Sequence, residues 1–448
     1  MLNINFLNPF FTKEIRVLIC AGLLFRALLS ILYFHVTLFP DSEGYLFLAK
    51  KILSFDLSLY NGERTPGYPL FIAFAFGSTT LTVVYQVVLG IFTSVYWYKT
   101  ILKLNFDSKA ALYITLFLQS FLQIHFYERI ILVESVTLFF VSVLFYYLAA
   151  DYLENKSFKR DFIVALVLGI LVLIKPFYAF IPFVIYGFSV AKNFKISRII
   201  NSKLIILLFP LISYFGWSYV NKINTGYFVS TTFFGLNLSQ NCVYFAEKTT
   251  PKYQWIGSVY AKHRDKLIAE NNQLEPHLQT DIAMTIWDAQ TELLPKTAGN
   301  FALLSAELGG YAKATIKKNP LEYVKQVVFR SWFDFWKPKI YWDYDSFSLP
   351  FVNKIFLGIW YFQTVLIWIF KVFFVLLIPY HFGLFLKNRS ITKELLFTTI
   401  IFLTSVLQAL VTFGGNARFS FPFEYIMMLV VILFVRKNIL NKRKKLEV

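Results

Sequence analysis

Charge is what this sequence has least of. Only 16% of its 448 residues are Asp, Glu, Lys or Arg, against about a quarter in soluble proteins. That scarcity excludes a disordered chain, a coiled coil, a fibrous repeat and an ordinary cytosolic enzyme. Cysteine is nearly absent. Cys20 lies in an apolar run and Cys242 far from it, so neither a disulfide framework nor a thiolate metal site is expected. Acidic residues number 26 against 44 basic ones, a net charge of +18. In a soluble protein that excess points to nucleic acid; here the placement of the charges matters more, and no nucleic-acid partner is expected. What abounds is apolar surface: 57% of residues are hydrophobic and 20% aromatic, with a mean hydropathy of +0.56. These values predict an all-α polytopic membrane protein, because lipid offers the backbone no hydrogen-bond partner.

Basic loops tend to stay in the cytoplasm. Clusters at Lys99/Lys103/Lys109, Lys156/Lys159/Arg160, Lys192/Lys195/Arg198/Lys203, Lys387/Arg389/Lys393 and the tail from Arg436 to Lys445 all lie inside if an even number of crossings separates each from the next. Basic clusters flank 162–191, so that stretch reads as two helices turning at Lys175-Pro176. The stretch 352–386 reads as one, with Lys371 the point where a break would invert the rest. About ten membrane helices are expected, near 15–39, 79–99, 109–126, 131–152, 161–174, 177–191, 203–221, 353–378, 394–413 and 420–435. Both termini are then cytoplasmic, and three regions follow: an N-terminal transmembrane module (1–221), an extracytoplasmic, mainly helical domain (222–351), and C-terminal helices with a basic tail (352–448). The domain carries helical patterns over Ile256–Asn272, Pro276–Leu294, Phe301–Lys318 and Pro320–Trp336. In the last, Tyr323, Val327, Val328, Trp332, Phe335 and Trp336 recur at helical spacing; the stripe suits a helix lying in the interface and equally one packed on the bundle.

Polar residues concentrate in the first outer loop (40–78). Asp41-Ser42-Glu43-Gly44 opens a short amphipathic helix, with Asp41 where an N-cap belongs. Farther on, Glu63-Arg64-Thr65-Pro66-Gly67-Tyr68-Pro69 forms a rigid turn able to hold Arg64. Glu134 lies about one turn inside an apolar helix. It faces a polar partner within the membrane, or serves as a helix N-terminal acid paired with Arg129. Lys175 and Arg418 are single cations at the outer ends of two other helix pairs; each either belongs to a site or snorkels to headgroups. Arg26, deep in the first helix, has no acid near it in sequence. Carboxylates and cations at the mouth of an apolar bundle suit a substrate with a lipid tail, an anionic headgroup and a reacting centre near the surface, such as a polyprenyl-phosphate sugar. A carboxylate takes the proton of an attacking hydroxyl, while Arg or Lys holds the departing phosphate.

At these positions the chain resembles the C-type glycosyltransferase superfamily, which includes protein O-mannosyltransferases and the aminoarabinose transferase of lipid A. Asp41-Ser42-Glu43-Gly44-Tyr45-Leu46 with Arg64-Thr65-Pro66-Gly67-Tyr68-Pro69 is similar to the first-loop pattern of bacterial members. Arg129-Ile130-Ile131-Leu132-Val133-Glu134 resembles the mannosyltransferase motif, with Glu where the family has Asp. Gly169 to Lys175-Pro176, Asn319-Pro320-Leu321-Glu322-Tyr323 and Arg418-Phe419-Ser420-Phe421-Pro422 resemble later motifs, the last with Phe for Tyr. The resemblance implies Asp41 as catalytic base and Glu134 as its support or the acceptor's. It implies substrate binding by Lys175 and Arg418, with Arg64, Glu43 and Arg129 as further candidates. It also implies a polyprenyl-phosphate monosaccharide donor, a lipid, glycan or protein acceptor, inversion at the anomeric carbon and a bacterial inner membrane with the active site on its outer face. No cofactor is called for; a divalent metal stays open, although His263, His277, Asp265 and Asp281 lack ligand spacing. The rival readings are a transporter or flippase, whose charges lie near the midplane of related halves, a polysaccharide polymerase or ligase, and a non-catalytic assembly factor.

Overall fold

The computed structural model describes residues 12–154, 157–192, 202–275 and 278–440. Among them every regular element is helical, and five helices are long and apolar enough to cross a membrane. The N-terminal part contains α1 (Lys13–Leu32), α2 (Pro40–Leu53), α3 (Gly67–Phe74), α4 (Thr79–Lys103), α5 (Ser108–Gln119), α6 (Leu122–Tyr127), α7 (Glu134–Ala149), α8 (Phe158–Ile174), α9 (Ile181–Lys192) and α10 (Ile205–Thr225). Side-chain caps fix several starts: Thr12, Ser78 and Asp107 accept from the backbone of Ile15, Leu81 and Ala110, satisfying amides that a helix start leaves unpaired.

Three expected spans differ in outline. The first helix stops at Leu32 rather than Phe39. Pro40 occupies the first position of α2 and disfavours a helical residue before it. The extended 33–39 segment instead makes one parallel bridge, Thr37 with Ile130. The span expected over 109–126 breaks at Ser120-Phe121. There Gln363 accepts from Leu122 N (2.8 Å) and donates to Ser120 O (2.9 Å), so a neighbouring helix satisfies the interrupted backbone. The span expected over 353–378 is longer.

After α10, capped by left-handed Gly226, come α11 (Phe233–Gln240), α12 (Gln254–Asn271), α13 (Thr285–Leu293) and α14 (Phe301–Lys318). They share a core of their own around Leu236, Ile256, Tyr260, Ile286, Leu304 and Tyr311. A Cβ on Gly235 would lie 1.7 Å from Ser305 O, so α11 and α14 touch backbone to backbone. The helix expected from Pro276 is shorter, opening on a tight turn capped by Asp281; Pro276 and His277 lie outside the described residues.

The pattern over Pro320–Trp336 divides into α15 (Pro320–Gln326), a π-helical turn and α16 (Trp332–Trp336). One face packs on the bundle, Trp332 Nε1 donating to Ser405 Oγ (2.9 Å). The other leaves Leu321 75% and Phe329 74% exposed. The chain closes with α17 (Val352–Asn388), α18 (Lys393–Val411), α19 (Ala417–Ser420) and α20 (Glu424–Val435). The 37-residue α17 runs through Lys371 and Pro379 without a break.

Helix ends gather in two groups. At one end Ser348 N meets Leu32 O (2.8 Å), Thr65 Oγ1 meets Ile174 O (2.9 Å) and Tyr323 OH meets Leu410 O (2.7 Å). At the other, Lys393 reaches Ala149 O, Lys203 reaches Tyr152 O and Arg436 reaches Asn105 O, each at 2.7 Å. The second end is the basic one.

Candidate active site

Four distant stretches converge at the first end. Asp41 is not the N-cap of α2. Phe39 is, and Ser42, at the third position, reaches back to it, its hydroxyl accepting from Phe39 N (3.0 Å) and donating to Ile131 O (2.9 Å). Asp41 sits within the first turn, its carboxylate free to face outward from the helix. Its Oδ1 accepts from Arg64 Nη2 (2.9 Å) and its Oδ2 from Arg418 Nη1 (2.6 Å). Burial alone would raise the Asp41 pKa; the Arg418 and Arg64 charges and hydrogen bonds overcome it and hold the carboxyl well below the usual range.

Arg64 is fixed by its turn. Tyr60 OH bonds to the Arg64 backbone, and Trp217 Nε1 donates to Arg64 O (3.3 Å). The guanidinium lies between the rings of Tyr45 (4.7 Å) and Phe233 (4.6 Å), a stacking geometry Arg favours. The turn docks on the end of α8, where a Cβ on Gly67 would lie 2.6 Å from the backbone of Leu173 and Ile174. Close approach therefore requires glycine there.

Glu134, fully buried at the start of α7, accepts on Oε1 from both Arg418 Nε (2.9 Å) and Lys175 Nζ (3.2 Å). Lys175 ends α8 in an extended conformation and lies 3.9 Å over the Phe419 ring. Arg418 thus bridges the two carboxylates. Its segment is held from below and from the side: Lys371 Nζ donates to Ser420 Oγ (2.9 Å) and pairs with Glu424 (2.6 Å), while Asn416 N donates to Asp334 Oδ2 (3.0 Å).

Five of the seven candidates, Asp41, Arg64, Glu134, Lys175 and Arg418, therefore form one cluster. Arg129 lies elsewhere. Its Nη2 donates to Arg26 O (3.1 Å) and Ser30 Oγ (2.7 Å), and it does not pair with Glu134. Glu43 is exposed and outside the cluster. Arg26 finds its acid 102 residues away, holding Glu128 through Nε (2.8 Å) and Nη2 (2.5 Å). A Cβ on Gly90 would fall 1.8 Å from that carboxylate. Of the aromatic surroundings, Tyr45 stood in the first-loop motif without a role of its own, and Phe233, Tyr341 and Tyr127 were not candidates. Of the histidines, His263 meets Glu292 (3.2 Å), which also pairs with Lys262. Among the described residues no three His, Cys, Asp or Glu side chains converge.

Comparison of the chain with protein-family models, with curated proteins and with solved structures returns no match.

Proposed function

We propose that the protein is a membrane glycosyltransferase that moves one sugar from a polyprenyl phosphate to an acceptor on the outer face of a bacterial inner membrane. The observation that carries the reading is the shared cluster: two carboxylates and three cations, drawn from residues 41 to 418, at the non-basic end of an apolar bundle. The converging Lys103, Lys203, Lys393 and Arg436 support a cytoplasmic assignment for the opposite end, and with it ten crossings and cytoplasmic termini. In the proposed reaction Arg418, Lys175 and Arg64 hold the donor phosphate. Asp41 accepts the proton of the acceptor hydroxyl as its oxygen attacks the anomeric carbon. The bond from that carbon to the phosphate oxygen breaks, its electron pair leaves with the polyprenyl phosphate, and the cations stabilise the charge. The configuration inverts.

The test is mass spectrometry of lipids retained by the wild type and by Asp41→Asn. A polyprenyl phosphate bearing one sugar, enriched in the variant, is the expected result. Phospholipid alone in both overturns the donor class and favours a transporter.

A further inference from the structure

Residues 320–336 are apolar on both faces. On the inner face Val327, Phe335 and Trp336 are buried against the bundle; on the other Leu321, Val324, Val328, Phe329 and Phe333 are exposed. A helix apolar all round belongs in a core or in lipid, and the neighbours of this one fix its height. Tyr323 OH meets Leu410 O near the outer end of α18, whereas Trp332 meets Ser405, about 18 Å along α18 from Lys393 at the basic end. Phe333 packs on Trp368 of α17, ring centroids 5.9 Å apart. Trp368 stands about 18 Å along α17 from Tyr380, which packs on Phe434 close to Arg436 of the basic end. Two helices thus give one level, well inside a hydrocarbon core of about 30 Å. The chain descends to that level and returns. It leaves the α11–α14 unit at Asn319, which donates to Lys248 O (2.7 Å), and climbs back to the end of α1, where Ser348 N donates to Leu32 O (2.8 Å). At the turning point Lys337 O accepts from the buried Lys371 (3.4 Å), the protein partner that a non-helical carbonyl at membrane depth requires.

We propose that residues 320–336 form a re-entrant segment whose exposed face is seated among lipid acyl chains, in the leaflet away from the basic end. The inference does not depend on the glycosyltransferase reading. Continuity names the occupant. Trp368 belongs to α17, whose Val365, Ile369, Val372 and Phe373 are exposed to either side of the contact; in a spanning helix such residues face lipid, and the same chains reach Phe333. The charges are placed to suit. Lys325 pairs with Glu322 (3.9 Å) toward the upper end, Arg330 stacks on Tyr244 of the α11–α14 unit (3.9 Å), and Lys337 pairs with Asp334 (3.4 Å), its long stem letting the ammonium reach toward the headgroups. The segment also grips the loop that carries Arg418, since Asn416 donates to Asp334 Oδ2 (3.0 Å) and to Ser331 O (2.9 Å).

The test is nitroxide labelling of the full chain in phosphatidylethanolamine–phosphatidylglycerol vesicles. Phe329→Cys and Leu321→Cys are made in a Cys20→Ser background, Cys242 being buried. Leu376→Cys, on the exposed face of α17, reports lipid; Gln273→Cys, exposed just beyond α12, reports water. Oxygen concentrates in lipid and a nickel chelate stays in water, so the two relax the label according to its surroundings. The expected result is that the label at 329 matches that at 376, relaxed by oxygen and unaffected by nickel, with the label at 321 nearer the surface. Nickel access at 329 equal to that at 273 puts the face in water and overturns the proposal. Poor access of both reagents shows that protein covers the face, a second copy if excess lipid restores oxygen access, and overturns it as well. Both substituted side chains are exposed and are read independently, so loss of either variant leaves the test standing.

Discussion

Lys371 is the sharpest test of how this bundle is held together. It lies midway along α17, 1% exposed, with Nζ 2.6 Å from Glu424 Oε1 of α20 and 2.9 Å from Ser420 Oγ. At an effective dielectric of about 20, charges 2.6 Å apart attract by roughly 6 kcal/mol. Several kcal/mol of that attraction is offset by taking both ions out of water. The net worth of the pair is therefore small, while the cost of stranding one member is large. Lys371→Met leaves Glu424 as an uncompensated buried carboxylate, and about 3–5 kcal/mol of unfolding free energy should be lost. Adding Glu424→Gln to that variant removes the stranded charge and keeps an acceptor for Gln123, which donates to Glu424. The double variant should recover most of the loss. The assay is reversible unfolding in detergent micelles, comparing wild type, the two single variants and the double. A Lys371→Met cost below about 1 kcal/mol, or a double variant no more stable than the single, would refute the argument.

Two further predictions concern the site. Gly67→Ala places a methyl against the backbone end of α8, so the first-loop turn must move away, carrying Arg64 with it. Activity should fall at least about tenfold with a stability loss of about 1–3 kcal/mol. Gly187→Ala, which meets nothing within 4 Å, is the control, and equal behaviour of the two would refute the packing argument. Asp41 has a folded pKa held below its ordinary value of 3.8, so its stabilising contribution is complete at neutral pH and is lost as the pH falls through the folded value. The stability gap between wild type and Asp41→Asn should thus be constant from about pH 8 to about pH 5 and close only in stronger acid. A gap already closing near pH 6 would show that the two guanidinium contacts do not hold in solution.

The helices were legible because their apolar runs and caps are local properties. The end of α1 was not, because hydropathy continues through Tyr33 to Phe39 while Pro40 silently sets the boundary. Ser42 illustrates a second limit. Asp41 and Ser42 are both good capping residues by type, but the helix begins at Pro40 with Phe39 as its N-cap, which puts both inside the first turn. Side-chain direction separates Glu43 from Asp41: two residues along a helix turn through roughly 200°, so they cannot serve one cluster. Pairings between helices were least legible of all. Arg26 with Glu128, and Lys371 with Glu424, are joined by which helices pack together, and periodicity fixes which face of a helix is apolar without naming the neighbour it meets.

The pairing of Arg418 also bears on the order of events in the proposed reaction. As it stands, Asp41 has a guanidinium on each oxygen and is a poor base. Arg418 is the shared member, touching Asp41 through Nη1 and Glu134 through Nε. An arriving phosphate competes for that same guanidinium with two negative charges already in place. In the proposed reaction, binding would draw Arg418, in whole or part, from Asp41, and the carboxylate's basicity would rise as the donor seats. Glu134 keeps Lys175 through this exchange, so its charge stays compensated. On the proposed roles, Asp41, the proton acceptor, is quenched before the donor arrives by Arg418, the residue assigned to the leaving group.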